Sequence, residues 1–260
     1  MIGNAGDPVT SLSRAYPDRV EVRGRDLAGD LMGQLTFTEY FHLLLTGREA
    51  TEEQRFFLDL VLVALAEHGL MPTNVAARMT LAAAPDALQG AVAAGILGAG
   101  TVVLGTSAAC AELLEEMQAE VATGREPAAV ADATAKEIHA AGGKVPGFGH
   151  PVHKPVDPRA ERILELADER GVSGSHIALA RALRQAVADT WGKPLTVNVS
   201  IAIAAVMLDL DFPSASVRAV PILARTASLL AHLAEEEENP IGFLMAAKAE
   251  QTIEYRPPAE

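Results

Sequence analysis

The sequence predicts an all-α fold, and three observations lead to this prediction. Hydrophobic residues make up 49% of the 260 residues, and many of them are alanines, which favour helix over strand. Apolar residues recur at helical spacing in most segments of the chain. Threonines, prolines and glycines stand where these segments begin and end, as they do at helix termini. We therefore expect about a dozen helices joined by short connections.

The first half of the chain contains the clearest helix signals. The first twenty residues are polar, contain several glycines and prolines, and are predicted to form an extended arm. Phe37, Phe41 and Leu44 follow a threonine cap at helical spacing, and Gly47 ends that helix. Further helices are predicted to open after Thr51, to span residues 75 to about 84, to begin near Asp86, and to span residues 111–121.

The second half adds longer amphipathic segments. Helices are predicted at residues 127–140, 158–169, 177–190 and 217–238. Residues 197–208 are apolar with a β-branched start, which allows a short strand, although the alanines that follow favour helix. The four glutamates at residues 235–238 are interpreted as a solvated helix end.

Composition and charge exclude several classes of function. The formal net charge of −13 argues against binding to nucleic acid. The single cysteine, Cys110, lies among small residues, so it is predicted to be buried and cannot form an intramolecular disulfide. No basic and then apolar leader is present at the start of the sequence. The longest apolar stretch, residues 91–104, is too short and too rich in glycine to span a bilayer. We expect a cytoplasmic protein without a membrane or nucleic-acid partner.

The most informative stretch is residues 144–159, which read KVPGFGHPVHKPVDPR. Its two glycines allow the backbone to approach a ligand closely. His150 can exchange a proton near neutral pH. Lys154 and Arg159 can each bind an anion, and the guanidinium can do so through two parallel hydrogen bonds. The segment thus combines backbone, acid–base and anion-binding chemistry.

This stretch resembles the signature of the citrate synthase family. The resemblance implies a citrate synthase-like, two-domain helical fold. It also implies that His150 contacts a four-carbon keto acid and that Arg159 grips a carboxylate. The residues that the resemblance assigns to coenzyme A are Val145, Gly147, Phe148, Gly149 and Lys154.

The resemblance extends over most of the chain, from about residue 22 to residue 257. His68 falls in a segment similar to the family's first histidine segment, which implies a hydrogen bond to the keto acid; Gly69 replaces the acidic residue that usually follows. Arg225, followed by His232 at helical spacing, resembles the family's carboxylate-binding arginine helix. Arg256 resembles the C-terminal arginine that reaches across a dimer interface in the family.

Two positions depart from the family pattern. Aligned without gaps, Leu104 falls where the family has a histidine that stabilises the enol of the acetyl thioester. Ser200 falls where the family has the aspartate that removes a proton from the acetyl methyl group. A leucine donates no hydrogen bond, and a serine hydroxyl is a poor general base unless another group activates it. Asp209 and Asp211, nearby in sequence, are interpreted as helix-end acids.

The sequence therefore predicts a site that keeps the family's carboxylate-binding residues but lacks the two residues that form the enol. We expect weak or no citrate synthase activity. The leading hypothesis is a citryl-CoA lyase-type carbon–carbon lyase with His150 and Ser200 as catalytic residues, and His150 as the acceptor of a hydroxyl proton. Candidate groups to stabilise the departing enolate are the hydroxyls of Thr101, Thr106, Ser107 and Ser200 or helix-start amides. His153 is a further candidate acid or a packed histidine.

Two other classes of function remain open. A protein that keeps the ligand contacts but lacks the acid and base could sense a coenzyme A ester or a tricarboxylate, and a purely structural helical protein would bind neither. The resemblance implies coenzyme A and a polycarboxylate as small-molecule partners, no metal, and a homodimer. It also implies a large domain formed by residues 1–122 and 220–260 and a small domain formed by residues 123–219.

Overall fold

The computed structural model describes residues 8–100, 103–150 and 153–258, and this part of the chain is predominantly helical. The predicted all-α class is confirmed. The helices are α1 (Phe37–Thr46), α2 (Glu52–Ala66), α3 (Pro72–Ala83), α4 (Leu88–Leu97), α5 (Thr106–Ala122), α6 (Pro127–Ala140), α7 (Pro158–Glu169), α8 (Ser175–Trp191), α9 (Val199–Asp209), α10 (Ser214–Val217), α11 (Ala219–Glu238) and α12 (Gly242–Thr252).

The chain divides into two compact units, one ending at Asp59 and the other beginning at Leu60. The first unit contains a small antiparallel sheet of β1 (Ser13–Ala15), β2 (Val20–Val22) and β3 (Arg25–Asp26). A short π-helical turn, Leu27–Leu31, follows the sheet. The predicted extended arm is thus wrong from Ser13 onward, since three residues of it pair with a neighbouring strand; residues 1–7 lie outside the described part.

The core of the first unit explains why so short a sheet is ordered. Val22 of β2, Leu31 of the π-helical turn and Leu43 of α1 are each buried and contact one another. The first helix begins as predicted, because Thr36 and Glu39 form a reciprocal capping box. Gly47 adopts a left-handed conformation with φ of 74° and ends the helix.

In the second unit, α3 packs against α4, and α11 and α12 pack against α3. The shared core of these helices consists of Ala77, Leu81, Ala91, Leu229 and Leu233. Arg78 and Glu236 form a buried ion pair within this group, with an Nε–Oε2 distance of 2.6 Å. The interpretation of the four glutamates as a solvated end is therefore wrong for Glu236. It is buried because Arg78 and the backbone amides of Ile241 and Gly242 satisfy its oxygens.

Another group of helices in the second unit centres on α9, which packs against α5, α7, α8 and α10. Every residue of α9 from 201 to 208 is buried, and this all-round burial explains why its sequence shows no amphipathic period. The helical alternative for this segment is confirmed, with Asn198 as its N-cap. Asp209 at its end accepts hydrogen bonds from the amides of Gly174, His176 and Ile177, so it caps α8 and is a helix-end acid as predicted.

Most predicted helix boundaries fall within a few residues of the observed ones. The largest differences are at α5, which begins at Thr106 instead of residue 111, and at α12, which was not predicted. The start of α5 was hidden by the preceding glycines and by a run of small residues with no hydrophobic period. The division of the chain into a large and a small domain at residues 122 and 219 stays a prediction.

Within the described residues, one stretch could cross a membrane by length and composition alone. This stretch is Ser214–Glu238, and 44% of its most apolar window is buried inside the protein. The interior helix of a globular protein meets the same criterion, so the stretch does not decide where the protein resides. The cytoplasmic location stays a prediction.

Candidate active site

A cavity of about 580 Å³ lies in the second unit, where the signature loop faces the starts of α5 and α9. Imidazoles, guanidiniums, hydroxyls and apolar side chains share its wall. The lining residues that matter below are Met71, Lys144, His68, His150, Arg159, Arg225, Leu104, Ser107, Asn198 and Ser200. The sequence-predicted site residues His68, His150, Arg159, Arg225 and Ser200 thus come together in one place.

The signature loop is tied to the segment that precedes α9. The amide of Asn198 donates to the carbonyl of Gly147 at 2.9 Å, and the amide of Gly149 donates to the carbonyl of Thr196 at 2.7 Å. The side-chain amide of Asn198 donates to the carbonyl of Gly149 at 3.1 Å. These bonds fix the position of His150 relative to the first turn of α9, where Ser200 lies.

The two glycines of the loop serve different purposes. Both have positive φ, 83° at Gly147 and 88° at Gly149, which favours glycine. A Cβ on Gly147 would lie 2.4 Å from the Cβ of Ile201 and 3.0 Å from the sulfur of Cys110, so this glycine allows the loop to pack on α9 and α5. A Cβ on Gly149 would meet nothing within 4 Å. Of the two, Gly149 is the one with space for a ligand.

Three histidine rings cluster at one side of the cavity. The rings of His150 and His153 have centroids 4.4 Å apart, and that of His68 lies 6.0 Å from His150 and 5.8 Å from His153. The backbone amide of His153 donates to Nδ1 of His150 at 2.9 Å. An accepting Nδ1 carries no proton, so the neutral ring of His150 carries its proton on Nε2.

The electrostatic surroundings favour the neutral forms of His68 and His150. Burial lowers the pKa of His68, and the guanidiniums of Arg159 and Arg225 lower it further. Burial also lowers the pKa of His150, with His153 acting in the same direction and Asp157 opposing. At neutral pH, His68 can therefore accept a proton, and His150 can donate a hydrogen bond without carrying a charge.

Arg159 is held by a buried carboxylate. Its Nε lies 3.0 Å from Oδ1 and its Nη2 lies 2.9 Å from Oδ2 of Asp157, which is fully buried. Asp157 also accepts a hydrogen bond from the amide of Val199 and so joins the starts of α7 and α9. Burial opposes ionisation of Asp157, but the bonds from Arg159 outweigh it and lower the pKa of the carboxyl. The sequence suggested no role for Asp157, although it lies two residues before the predicted arginine.

The guanidinium of Arg225 is less completely hydrogen-bonded than that of Arg159. Its side chain is only 4% exposed, and its Nε has no hydrogen-bond partner within the described part of the chain. Its Nη1 reaches the carbonyl of Ala66 at 3.4 Å, a weak contact. A buried guanidinium with an unsatisfied N–H is costly without an anionic ligand, so this residue marks where a carboxylate can bind.

Glu67 organises the backbone next to His68. One carboxylate oxygen accepts from the amides of His68 and Gly69, and the other accepts from Ser228 at 2.7 Å and from His232 at 3.0 Å. Burial opposes its ionisation, but these hydrogen bonds lower the pKa of Glu67 to about 2. His232, predicted only as a companion of Arg225, thus supports the loop that carries His68.

Apolar and hydroxyl groups also line the cavity. Leu104 is buried and lines the cavity immediately before α5, whose first residues, Thr106 and Ser107, also line it. Ser200 stands in the first turn of α9, and its amide donates to the side chain of Asn198. The predicted candidate Thr101 lies outside the described residues. No carboxylate side chain is among the described residues that line the cavity.

A family model described as "Citrate synthase, C-terminal domain" matches residues 13–243. The chain belongs to the citrate synthase family. A citrate synthase from Heyndrickxia coagulans is 30% identical over 212 residues, which make up 79% of this chain and 53% of that protein. The chain thus spans about half the length of the curated relatives that it matches.

Solved structures in this family add a comparison of fold. The citryl-CoA lyase from Hydrogenobacter thermophilus matches with a TM-score of 0.85 at 28% identity, over 98% of this chain and 97% of that chain. An ATP citrate lyase from Methanothrix soehngenii, in complex with citrate and coenzyme A, matches with a TM-score of 0.76 at 20% identity, over 100% of this chain and 43% of that chain. The second match concerns the fold alone. By fold, this chain is a citryl-CoA lyase-like member of the citrate synthase family.

The residues that the family resemblance assigns to coenzyme A are only partly at the cavity. Val145, Gly147, Phe148 and Gly149 line it, whereas Lys154 is exposed and does not. Lys144, which was not predicted as a site residue, does line it. Arg256 lies near the end of the described chain, is exposed, and pairs with Glu254, so it contributes nothing to the cavity of its own chain.

The three imidazoles also bear on metal binding. One ligand atom from each of His68, His150 and His153 lies within 4.8 Å of the others. A histidine that binds a metal normally donates its second ring N–H, whereas Nδ1 of His150 accepts a hydrogen bond. With Arg159 and Arg225 nearby, this arrangement suits an anionic ligand better than a dication.

Proposed function

We propose that this protein is a carbon–carbon lyase that cleaves citryl-CoA, or a related 3-hydroxy-3-carboxyacyl-CoA, into an acyl-CoA and a keto acid. The observation that carries the proposal is one cavity whose lining holds two unlike sets of groups. One set comprises the imidazoles of His68 and His150 and the guanidiniums of Arg159 and Arg225, and the other comprises Leu104 and Ser200. Similarity to a citryl-CoA lyase over nearly the full length of both chains supports the same conclusion.

The guanidiniums would bind the carboxylates of the substrate. Arg225 lines the cavity, and its buried Nε–H has no partner among the described residues. Arg159 has both its Nε and Nη2 on Asp157, which leaves Nη1 for a ligand. The Nε2–H of His150 would donate to the oxygen on C3, and this bond would strengthen as that oxygen becomes an alkoxide.

Cleavage starts with the loss of the hydroxyl proton from C3. The C3–O bond then becomes the carbonyl of the keto acid, the C2–C3 bond breaks, and its electron pair passes to C2 and the thioester as an enolate. A proton then adds to C2 and gives the acyl-CoA. A thioester enolate is a strong base, so the hydroxyl of Ser200 can supply this proton and regain one from solvent. Ser200 is thus proposed as an acid in this step.

The enolate oxygen needs a partner in place of the missing histidine. The first turn of α5 lies beside Leu104, and no side chain caps its amides. These amides, at the positive end of the helix dipole, together with the hydroxyl of Ser107, are the groups we propose for this role. Coenzyme A would lie along Val145, Phe148, Gly149 and Lys144, and Lys154 could bind its phosphates at the rim.

The family resemblance also suggests a homodimer in which Arg256 completes the site of the other copy. The exposed position of Arg256 is compatible with this arrangement. The proposed division into a large and a small domain would let closure exclude water from the cavity. Such an enzyme would act in the cytoplasm on soluble small molecules.

A direct assay tests the proposed activity. Purified protein is incubated with citryl-CoA, and the keto acid and the acyl-CoA are quantified by a coupled dehydrogenase and by chromatography. We expect both products in equal amounts. Arg162→Met, on the exposed face of α7 where Arg162 pairs with Glu165 and Glu169, is the matched control and should cleave at the wild-type rate. Absence of both products over hours would exclude the lyase.

The second candidate is a sensor of coenzyme A esters or tricarboxylates. The predicted correspondence of Leu104 and Ser200 to the family's enol-forming pair, with no carboxylate among the described lining residues of the cavity, favours it. A sensor would bind the thioester or citrate in calorimetry, lose that binding when Arg225 is replaced, and release no product. Absence of binding to either ligand would exclude both candidates.

A further inference from the structure

The hydrogen bond at Nδ1 of His150 limits what this residue can do. Because the amide of His153 donates to Nδ1 at 2.9 Å, the proton of the neutral ring lies on Nε2. A ring whose accepting nitrogen is already engaged is poorly suited to take a proton from a substrate hydroxyl. The sequence favoured His150 for that step, so another acceptor is needed.

His68 meets the requirements for that acceptor. It lines the same cavity as His150, and the two rings stand edge to face at 6.0 Å. In the described part of the chain, neither ring nitrogen of His68 has a hydrogen-bond partner; its backbone amide alone is engaged, by Glu67. The third ring of the cluster, His153, does not line the cavity.

The charges that face His68 adjust its basicity. Arg159 on α7, Arg225 on α11, and His150 and His153 on the loop all disfavour its protonated form, and burial acts in the same direction. The carboxylate of Glu67 is turned away toward Ser228 and His232. Carboxylates of a bound substrate would offset the two guanidiniums, so the proton affinity of His68 should rise when the substrate binds.

We infer that His68 is the general base of the cleavage and that His150 is the hydrogen-bond donor to the same oxygen. This inference rests on the proposed lyase function. One ring nitrogen of His68 takes the proton of the C3 hydroxyl as the C2–C3 bond breaks. His150 keeps its Nε2 proton and stabilises the oxygen during the transfer. His68 then returns its proton to solvent after the keto acid leaves.

Steady-state kinetics with citryl-CoA over a range of pH test the assignment. His68→Gln should lower kcat by about 10²–10⁴-fold, the usual contribution of a general base. Wild-type kcat/KM should fall as the pH drops through the pKa of His68, because the protonated ring cannot accept, and this acidic limb should vanish in His68→Gln. His150→Gln should also be slow but should retain the acidic limb.

Two controls separate catalysis from local structure. His153→Gln removes a neighbouring ring that does not line the cavity and should cost much less than His68→Gln. His139→Gln removes a ring outside the cluster that stands edge to face with Trp191, with ring centroids 4.6 Å apart, and should leave the kinetics unchanged. An acidic limb that persists in His68→Gln and vanishes in His150→Gln would overturn the inference.

Nitrogen-15 NMR of the histidine rings gives a test that needs no turnover. In the ligand-free protein, His150 should show a protonated Nε2 and an unprotonated Nδ1, and titration should show that the pKa of His68 rises when citrate is added. A proton on Nδ1 of His150 would contradict the assignment even if the protein cleaves citryl-CoA. If the predicted ring states are found but citryl-CoA is not cleaved, the lyase proposal fails separately.

Discussion

The cavity residues proposed to bind carboxylates and those proposed to face the thioester differ in their supports. In the first set, every group except Arg225 has a dedicated support. Asp157 holds Arg159 through two bonds, Glu67 holds the backbone of His68, and the amide of His153 fixes the ring of His150. In the second set, the side chains of Leu104 and Ser200 form no hydrogen bond or ion pair among the residues that the structure describes.

The buried charged groups near the proposed carboxylate-binding residues lower the stability of the fold unless they are well paired. Arg225 retains an N–H without a partner among the described residues. A fold with no use for an anion would gain by replacing such groups with hydrocarbon. The contrast is what the proposed binding of a polycarboxylate would require.

We expect the largest effect, on the rate of condensation, from restoring the family's enol-forming pair. This change would give the proposed thioester-facing residues an acid–base pair of their own. We predict that the double variant Leu104→His, Ser200→Asp condenses acetyl-CoA with oxaloacetate at least about 10²–10⁴-fold faster than the wild type, because it regains an oxyanion donor and a general base. Release of free coenzyme A from acetyl-CoA, followed with a thiol reagent, measures the gain.

Each single variant serves as the control for this experiment. Leu104→His alone lacks the base and Ser200→Asp alone lacks the donor, so each should gain much less than the pair. A folded double variant with no gain would show that these two positions do not face the thioester.

The second prediction concerns the least satisfied of the proposed carboxylate-binding residues. Arg225→Met should weaken citrate binding by about 2–5 kcal/mol, since it removes a buried charge partner, and should not lower the melting temperature, because the unsatisfied Nε disappears with it. Calorimetric titration and thermal unfolding measure the two effects. Unchanged citrate affinity would place the carboxylate elsewhere.

The third prediction has the smallest expected effect and concerns Asp157, the carboxylate that holds Arg159. Asp157→Asn should lower the free energy of unfolding by about 1–3 kcal/mol, since a hydrogen bond to a charged group is lost. Because the pKa of Asp157 is lowered by folding, its contribution is present above its ordinary pKa of 3.8 and is lost as the pH falls through the folded value. Denaturant unfolding at neutral and acidic pH measures this contribution.

The stability difference between the wild type and Asp157→Asn should therefore shrink at acidic pH. Asp168→Asn offers a matched control, because Asp168 lies on the same helix with a half-exposed side chain that pairs with Arg181, and such a pair contributes little. A difference for Asp157→Asn that stays constant as the pH falls would show that its charge does not stabilise the fold.

The predictable parts of the fold and site were those encoded over a few neighbouring residues. A threonine cap, at Thr36 or Thr38, and the helix end at Gly47 could be predicted because such signals lie within one turn of the helix, and the structure has the cap at Thr36. The signature run identified His150 and Arg159 in the same way. The sheet that begins at Ser13 was missed, because its short strands are ordered by burial of Val22 against Leu31 and Leu43.

The sequence by itself determined the helical class, the family and which chemical groups are available, since each follows from local spacing and motif. Only the tertiary structure decided how those groups act. The proton on His150 is placed by an amide three residues away, Nε of Arg225 is buried without a partner among the described residues, and Glu236 is buried because Arg78 of α3 meets it. Protonation and desolvation depend on which atoms surround a group, and residues far apart in the chain supply those atoms.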